Sequence, residues 1–134
     1  PPPPRDVMVW MCLERCFNQT AADVDAQVAD LVARRRALVR TVSFEMFNFA
    51  ENGTLYLNDD LSRVAPRLRA AGFRTMAMIS SWPYPKALLT WLRARARHPQ
   101  PFVDACVAAA RRYHLDGFNV DLEPVADVRD GDAE

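Results

Sequence analysis

The ten residues from Leu115 to Pro124, LDGFNVDLEP, limit the folds open to this chain more than any other segment. They predict a strand, and successive side chains of a strand point to opposite faces. One face would hold the apolar side chains, Phe118, Val120 and Leu122. The other would hold a polar row, Asn119, Asp121 and Glu123. An open sheet would bury these two carboxylates under helices at a high desolvation cost. In a β/α barrel the same row lines the lumen and reaches the carboxyl-terminal mouth, where barrel enzymes have their active sites.

Upstream of this segment, strand-like apolar runs alternate with helical patterns. The predicted strands cover residues 7–13, 38–47, 73–81 and 117–123, and the first helical face between them includes Val24, Val28 and Leu31. Thr20 and Asp23 come close to a capping box at the start of that helix. Strands that alternate with helices predict βαβ units and a parallel sheet in sequential order. The predicted fold class is therefore α/β.

The chain is too short for a complete barrel. It has 134 residues, whereas an eight-stranded β/α barrel has about 250. We therefore predict the N-terminal half of a TIM-type (β/α)8 barrel, with a proline-rich leader at 1–5, four strands and their helices at 6–124, and a loop at 125–134. Because half of the lumen would be missing, we expect the chain to be inactive by itself.

The segment that begins with Asp116 and Gly117 resembles the signature of glycoside hydrolase family 18. That signature is Asp, two residues, Asp, one residue, Asp, one residue and Glu. The corresponding positions here are Asp116, Asn119, Asp121 and Glu123. Three positions match, and the second is Asn in place of Asp, as is common in the di-N-acetylchitobiase branch, to which the segment is most similar. A second departure is Ser80-Ser81, where the family often has two glycines.

The resemblance implies hydrolysis of β-N-acetylglucosaminide bonds, in chitin oligosaccharides or the chitobiose core of N-glycans, with no cofactor and no metal. Glu123 would protonate the glycosidic oxygen as a general acid. Asp121 would orient the 2-acetamido group, whose own oxygen attacks the anomeric carbon, so that the configuration is retained. Asn119 would donate a hydrogen bond to Asp121. Asp116 and Gly117 would be the structural part of the motif.

Three aromatic residues near strand ends are candidate sugar-binding platforms. Trp82 is the strongest, because it follows the third strand directly before the break at Pro83-Tyr84-Pro85. Phe44 and Trp10 are the other two. The sequence pattern around each of these three aromatic residues is also that of an ordinary core residue. Glu45 lies on the second strand, where the pattern does not tell which face it occupies.

Composition argues against two classes of partner. Acidic and basic residues balance at 17 each, so no net charge attracts nucleic acid or an anionic membrane. No apolar run reaches the roughly 20 residues of a membrane span.

The three cysteines match no zinc pattern, and Cys12 can pair with Cys16 only if the chain turns sharply after Cys12. The sequons at Asn18 and Asn52 agree with a secreted or lysosomal protein whose signal region is not in this sequence.

Two other functions remain open from the residues. The chain could be a catalytically silent, glycan-binding relative of the chitinases, although such proteins usually lack the terminal Glu and Glu123 is present. It could instead be an unrelated barrel enzyme that binds a metal through Asp121, Glu123 and Asp127. For the glycosidase and for the silent relative, the expected partner is an oligosaccharide that contains N-acetylglucosamine.

Overall fold

The computed structural model describes residues 6–13, 20–35, 37–57 and 61–124. The strands are β1 (Val7–Met11), β2 (Val39–Phe49), β3 (Leu55–Leu57), β4 (Arg74–Ser80) and β5 (Gly117–Asp121). The helices are α1 (Ala21–Arg35), α2 (Val64–Ala70), α3 (Leu88–Arg97) and α4 (Gln100–Tyr113), and a 3-10 turn at Leu61–Arg63 leads into α2. The predicted leader at 1–5 and loop at 125–134 lie outside the described residues, as do Cys16, Asn18 and Asp127.

The main path of the sheet runs β1-β2-β4-β5. All three pairings along this path are parallel. The predicted α/β fold, with four parallel strands in sequential order, is therefore confirmed. The last strand ends earlier than predicted, at Asp121, so Glu123 follows the strand instead of belonging to it.

The short strand β3 is an addition to the predicted elements. It pairs antiparallel with the end of β2, from Phe47 with Leu57 to Phe49 with Leu55. The sequence pattern predicts only the turn between them, where Gly53 has a φ of 83°. A strand of three residues is too short to show a period. Because β3 extends β2 as a hairpin and lies off the main path, it leaves the parallel order intact.

The helices cover one face of the sheet and bury its core. Val24 and Val28 of α1 and Leu68 of α2 are at most 2% exposed and pack in one cluster with strand residues such as Val42 and Ile79. Full burial of a side chain of this size stabilises a fold by about 1.5–3 kcal/mol. The helical face predicted for α1 is therefore confirmed. None of the described helices is long and apolar enough to cross a membrane.

Apolar side chains are exposed along both outer strands of the described sheet. On β1 these are Val7, Met8 and Trp10, and on β5 the exposed residue is Val120. Within the described residues, β1 and β5 each pair with one neighbour only. Proteins normally pair or cover such strand edges. Both edges therefore offer backbone groups and apolar surface to a further strand.

Asp116 joins β4 to β5 at their amino-terminal ends. Its Oδ2 accepts hydrogen bonds from the Thr75 N–H at 2.7 Å and from the Thr75 Oγ1 at 3.1 Å, and its own N–H donates to the Thr75 carbonyl at 2.9 Å. A Cβ at the next residue, Gly117, would lie 3.0 Å from the Met76 Sδ, so glycine permits this close approach. Both observations agree with a structural role for Asp116 and Gly117.

The capping box predicted at the start of α1 is present. The Thr20 N–H and hydroxyl donate to the Asp23 Oδ2 at 2.8 and 2.7 Å, and the Asp23 N–H donates to the Thr20 Oγ1 at 3.3 Å. The hydrogen bond from the Thr20 side chain, and then that from its backbone, lower the pKa of Asp23 below its ordinary value. The box therefore stabilises the helix most when Asp23 is ionised.

We predict that replacing Asp116 weakens the whole sheet. Asp116→Ala leaves the buried Thr75 N–H without its acceptor, so the free energy of unfolding should fall by about 1–3 kcal/mol. Urea denaturation measures this loss. The matched control is Asp104→Ala on α4. Among the described residues its side chain accepts one exposed bond, from Gln100, so the change should stay within about 0.5 kcal/mol. Equal losses in the two variants would contradict the role of Asp116.

We predict that the capping box makes α1 sensitive to acid. Asp23 has a lowered pKa in the helix, so its stabilisation is complete above the ordinary value of 3.8 and is lost as the pH falls through the lower, folded value. The helix content of a peptide spanning residues 18–36, followed by circular dichroism, should therefore drop in this window. An Asp23→Asn peptide should be less helical at neutral pH and should show a smaller drop, because only the Asp30–Arg34 pair of the helix and the remaining Asp25 still respond to acid. Parallel pH profiles for the two peptides would exclude the effect.

Candidate functional site

A cavity of about 380 Å³ lies at the carboxyl-terminal ends of the parallel strands. Its polar lining comes from three strands: Ser43 and Glu45 of β2, Ser80 of β4 and Asp121 of β5. These residues alternate along the strands with side chains of the core, so the cavity lies on the face that the helices do not cover. We call this the lumen face.

The strand register arranges the lumen face in layers. In one layer Glu45 lies opposite Met78, which lies opposite Asn119. In the next layer towards the mouth, Ser80 lies opposite Asp121. Asn119 and Asp121 therefore share a face, as predicted, and Asp121 stands nearer the mouth. Both side chains are partly buried.

A β-bulge in β2 turns Phe47 away from the lumen face. Glu45 pairs with Met78, but the next pair is Phe47 with Ile79, so Met46 has no partner on β4. Strict alternation would place Phe47 on the same face as Glu45. With the extra residue, Phe47 turns to the helix-covered face, and Glu45 remains on the lumen face. Bulges commonly redirect side chains beside active sites in this way.

Glu45 connects the end of β1 to the cavity. Its side chain is 2% exposed, and its Oε2 accepts the Leu13 N–H at 2.9 Å. Its Oε1 lies 3.7 Å from the Cys12 sulfur. Because Cys12 is disulfide-bonded, that sulfur has no proton to donate, and the approach is a contact. Glu45 therefore holds the segment after β1 at the wall of the cavity.

Cys12 and Cys106 differ in oxidation state. Cys12 is disulfide-bonded and lines the cavity, whereas Cys106 is a free thiol on α4. Burial raises the pKa of the Cys106 thiol. Cys106 packs against the hydrophobic core, as its place on an apolar helix face suggests, and it is not part of the site.

Two of the three predicted sugar platforms lie at the cavity. Trp10 is 57% exposed and Trp82 is 47% exposed, and both line it. The ring of Trp82 meets Tyr84 edge to face, with centroids 5.4 Å apart, and Tyr84 lines the cavity as well. In the sequence, Tyr84 shows only as part of a proline-rich break, although its place directly after a strand end was a usable signal.

Phe44 does not lie at the cavity. Its neighbours Ser43 and Glu45 occupy the lumen face, so alternation turns Phe44 to the helix-covered face, where it is 1% exposed in the core. The structure therefore contradicts the prediction that Phe44 binds substrate. The same alternation, applied to Ser43 and Glu45, would have identified two lumen residues that sequence reasoning left out or undecided.

Asn119 lacks the bond that the sequence led us to expect. Its Nδ2 is buried and has no hydrogen-bond partner among the described residues, so the predicted bond to Asp121 is not formed. Residues two apart on a strand are separated by about 7 Å. Asn119 and Asp121 occupy successive layers of the lumen face, and in this arrangement their polar atoms do not meet.

Glu123 lies two residues beyond the carboxyl-terminal end of β5. It follows the end of β5 and is exposed, and the lining of the cavity includes Asp121 but not Glu123. Among the described residues, no three His, Cys, Asp or Glu side chains are grouped to hold a metal ion. Asp127, the third residue of the alternative metal site, lies outside the described part.

The fold is similar to those of three solved enzymes. For the spore cortex-lytic enzyme SleL of Bacillus cereus, the TM-score is 0.70 and the identity 15%, over 90% of this chain and 28% of that one. For a chitinase of Chromobacterium violaceum, the TM-score is 0.65 and the identity 18%, over 90% of this chain and 36% of that one. For a chitinase of Bacteroides thetaiotaomicron, the TM-score is 0.63 and the identity 15%, over 91% of this chain and 37% of that one.

At the level of sequence, no family model matches the chain, and no curated protein matches it. The chain spans about a third of the length of the structures to which it is similar. At identities this low the likeness concerns the fold. The chain therefore has the parallel-stranded α/β fold of part of a TIM-type barrel.

Proposed function

We propose that this chain is part of a glycosidase that hydrolyses β-N-acetylglucosaminide bonds. The observation that supports this best is the position of Asp121, which lines a cavity with Trp10 and Trp82 at the carboxyl ends of the parallel strands. Barrel enzymes place their chemistry at this end. The likeness of the fold to two chitinases and a cortex-lytic enzyme supports a glycan as substrate.

The lining of the cavity suits a sugar ring. A pyranose has apolar C–H faces and polar edges, and it therefore needs aromatic surface and hydrogen-bonding groups together. Trp10 and Trp82 offer exposed aromatic faces, while Ser80 and Asp121 offer polar groups from neighbouring strands. Oligosaccharides of N-acetylglucosamine, from chitin or the N-glycan core, have both kinds of surface.

The proposed reaction uses two carboxyl groups and the substrate's own acetamido group. Glu123 donates a proton to the glycosidic oxygen while the bond from that oxygen to the anomeric carbon breaks. The acetamido oxygen forms a new bond to the same carbon, and Asp121 accepts a hydrogen bond from the acetamido N–H to orient it. Water then attacks the anomeric carbon, the bond from that carbon to the acetamido oxygen breaks, and the attacking water gives a proton to Glu123. Two displacements at one carbon retain its configuration.

The described residues do not enclose Glu123 enough to exclude water from it. It is exposed, beyond the last strand, whereas a general acid works best in a site that excludes water. In the proposal, further strands of the barrel enclose it, so the chain alone is inactive. Activity is therefore tested in the full-length protein that contains this chain.

A second candidate function is glycan binding without turnover. It is favoured by the position of Glu123, which does not line the cavity. A fluorogenic di-N-acetylchitobioside separates the candidates. Turnover that survives a chelator supports the proposed glycosidase, binding without turnover supports the silent protein, and loss of turnover with the chelator supports the metal-dependent enzyme.

We predict that Glu123→Gln abolishes most of the hydrolysis. The amide keeps the shape of the side chain but cannot deliver a proton, so kcat should fall by a factor on the order of 10²–10⁴, while binding of the oligosaccharide is retained. Asp121→Asn should also lower kcat, because the carboxylate that orients the acetamido group is lost. The matched control is Glu51→Gln on the exposed turn between β2 and β3. Turnover by Glu123→Gln at the control's rate would refute the proposed acid.

We predict that Asn119→Asp retains activity and shifts its pH optimum. The substitution introduces a second carboxyl group one layer below Asp121. Two carboxylates this close do not ionise independently, so one of the two pKa values should rise. The pH profile of kcat measures the shift, with Asn119→Ser as an uncharged control. Superimposable profiles for the wild type and Asn119→Asp would contradict the coupling.

A further inference from the structure

The turn between β2 and β3 presents the Asn52 sequon to solvent. Asn52 and Thr54 are exposed, and the Oδ1 of Asn52 accepts hydrogen bonds from the Thr54 N–H at 3.0 Å and the Thr54 hydroxyl at 2.6 Å. An Asn followed two residues later by a hydroxyl residue is the acceptor pattern for N-linked glycans. The two side chains that this pattern requires are therefore in contact, on an accessible turn.

Helix α3 holds this turn in place. The guanidinium of Arg95 donates to the Asn52 carbonyl at 3.3 Å, and a Cβ on Gly53 would lie 2.6 Å from the Arg95 Cδ. Glycine therefore lets the Arg95 side chain cover the turn, and Gly53 is buried although both of its neighbours in the chain are exposed. The backbone of Asn52 is thus fixed beside α3.

A groove of about 660 Å³ lies between the turn and α3, and Asn52 is one of its lining residues. Its volume is within the range of about 300–1,000 Å³ that small-molecule sites have. Trp91 gives the groove an aromatic surface. Polar and charged groups come from Glu51, Thr90 and Arg95, so the groove can contact both the apolar face and the polar edge of a sugar ring. None of these described residues lines the cavity at the strand ends, and the groove is therefore a separate site.

The disulfide of Cys12 is an independent observation that favours glycosylation. Cys12 is disulfide-bonded, and structural disulfides form in the oxidising compartments of the secretory route. N-linked glycans are attached to secreted proteins on the same route. A chain that acquires this disulfide there would also meet the enzymes that modify an exposed sequon.

We propose that Asn52 accepts an N-linked glycan and that the groove beside it holds the first N-acetylglucosamine of that glycan. In the transfer, the Asn52 amide nitrogen forms a bond to the anomeric carbon of the donor, an oligosaccharide linked to a lipid diphosphate. The bond from that carbon to the diphosphate oxygen breaks, and the amide nitrogen loses one proton. Because the sugar is then covalently linked to a residue of the groove, its packing on Trp91 is intramolecular and costs little entropy.

The first test is the occupancy of Asn52 in the full-length protein that contains this chain, produced through the secretory pathway of an animal cell. Peptide N-glycosidase converts an occupied Asn to Asp, which peptide mass spectrometry locates. Asn52 should be converted in the wild type and in Thr54→Ser, which keeps the hydroxyl. It should be unmodified in Thr54→Val, which has the shape of threonine without the hydroxyl. An unmodified Asn52 in the disulfide-bonded wild type overturns the inference.

The second test asks whether the first sugar packs in the groove. An endoglycosidase trims the glycan to this sugar, whereas peptide N-glycosidase removes it completely. In the wild type, the Tm after complete removal should be lower than after trimming by about 2–4 °C, the shift typical of one lost contact in a protein of about 150–250 residues. In Thr54→Val, which has no glycan at Asn52, the two treatments should give the same Tm.

Trp91→Leu separates packing in the groove from the charge that complete removal leaves at Asn52. The enzyme produces the same Asp in this variant, so a difference in Tm that comes from the charge would persist. A difference that comes from packing on Trp91 should disappear. Equal Tm values after the two treatments of the wild type would overturn the role of the groove even if Trp91→Leu fails to fold. Hydrolysis of the chitobioside is measured separately, so neither result decides the proposed function.

Discussion

The register of β2 against its two parallel neighbours determines which side chains of the sheet face the lumen. β2 pairs with β1 on one side and with β4 on the other, and its residues from Thr41 to Phe49 are all buried. The bulge at Met46 interrupts the pairing with β4 once. Below the bulge, Ser43 and Glu45 face the lumen. Above it, Phe47 joins the core, so the lumen stays polar and the core stays apolar along one continuous strand.

Polar groups at the amino-terminal end of the sheet and on the lumen face differ in their hydrogen bonding. At the amino-terminal end they bond to one another, as in the pair of Asp116 and Thr75, and in the bond from the Thr41 hydroxyl to Asp6. These bonds satisfy buried groups and hold neighbouring strands together. On the lumen face, the Ser43 hydroxyl and the Asn119 amide nitrogen are buried without partners among the described residues. The bonded pairs at the amino-terminal end thus contribute to stability, whereas these two groups on the lumen face make no such contribution.

The same division appears in the aromatic residues. Phe47 packs with Tyr113 of α4 at 5.9 Å between ring centroids, and Phe49 packs with Phe102. Trp10 and Trp82, by contrast, are about half exposed at the cavity. A large aromatic ring that stays exposed contributes little to the stability of the fold, and exposed apolar surface of this kind is typical of a ligand-binding site.

The amino-acid sequence by itself determined the α/β fold, the four parallel strands, the capping box of α1 and the facing of Asp121. These features depend on local periods and on short motifs, such as the alternation in Phe118 to Glu123. Only the tertiary structure decided that Phe47 lies in the core instead of the lumen, and that Trp10 is exposed. A bulge arises from the fit between two strands distant in sequence, and exposure depends on which elements cover a face. Neither quantity is present in the local pattern, because each is a property of the assembled sheet.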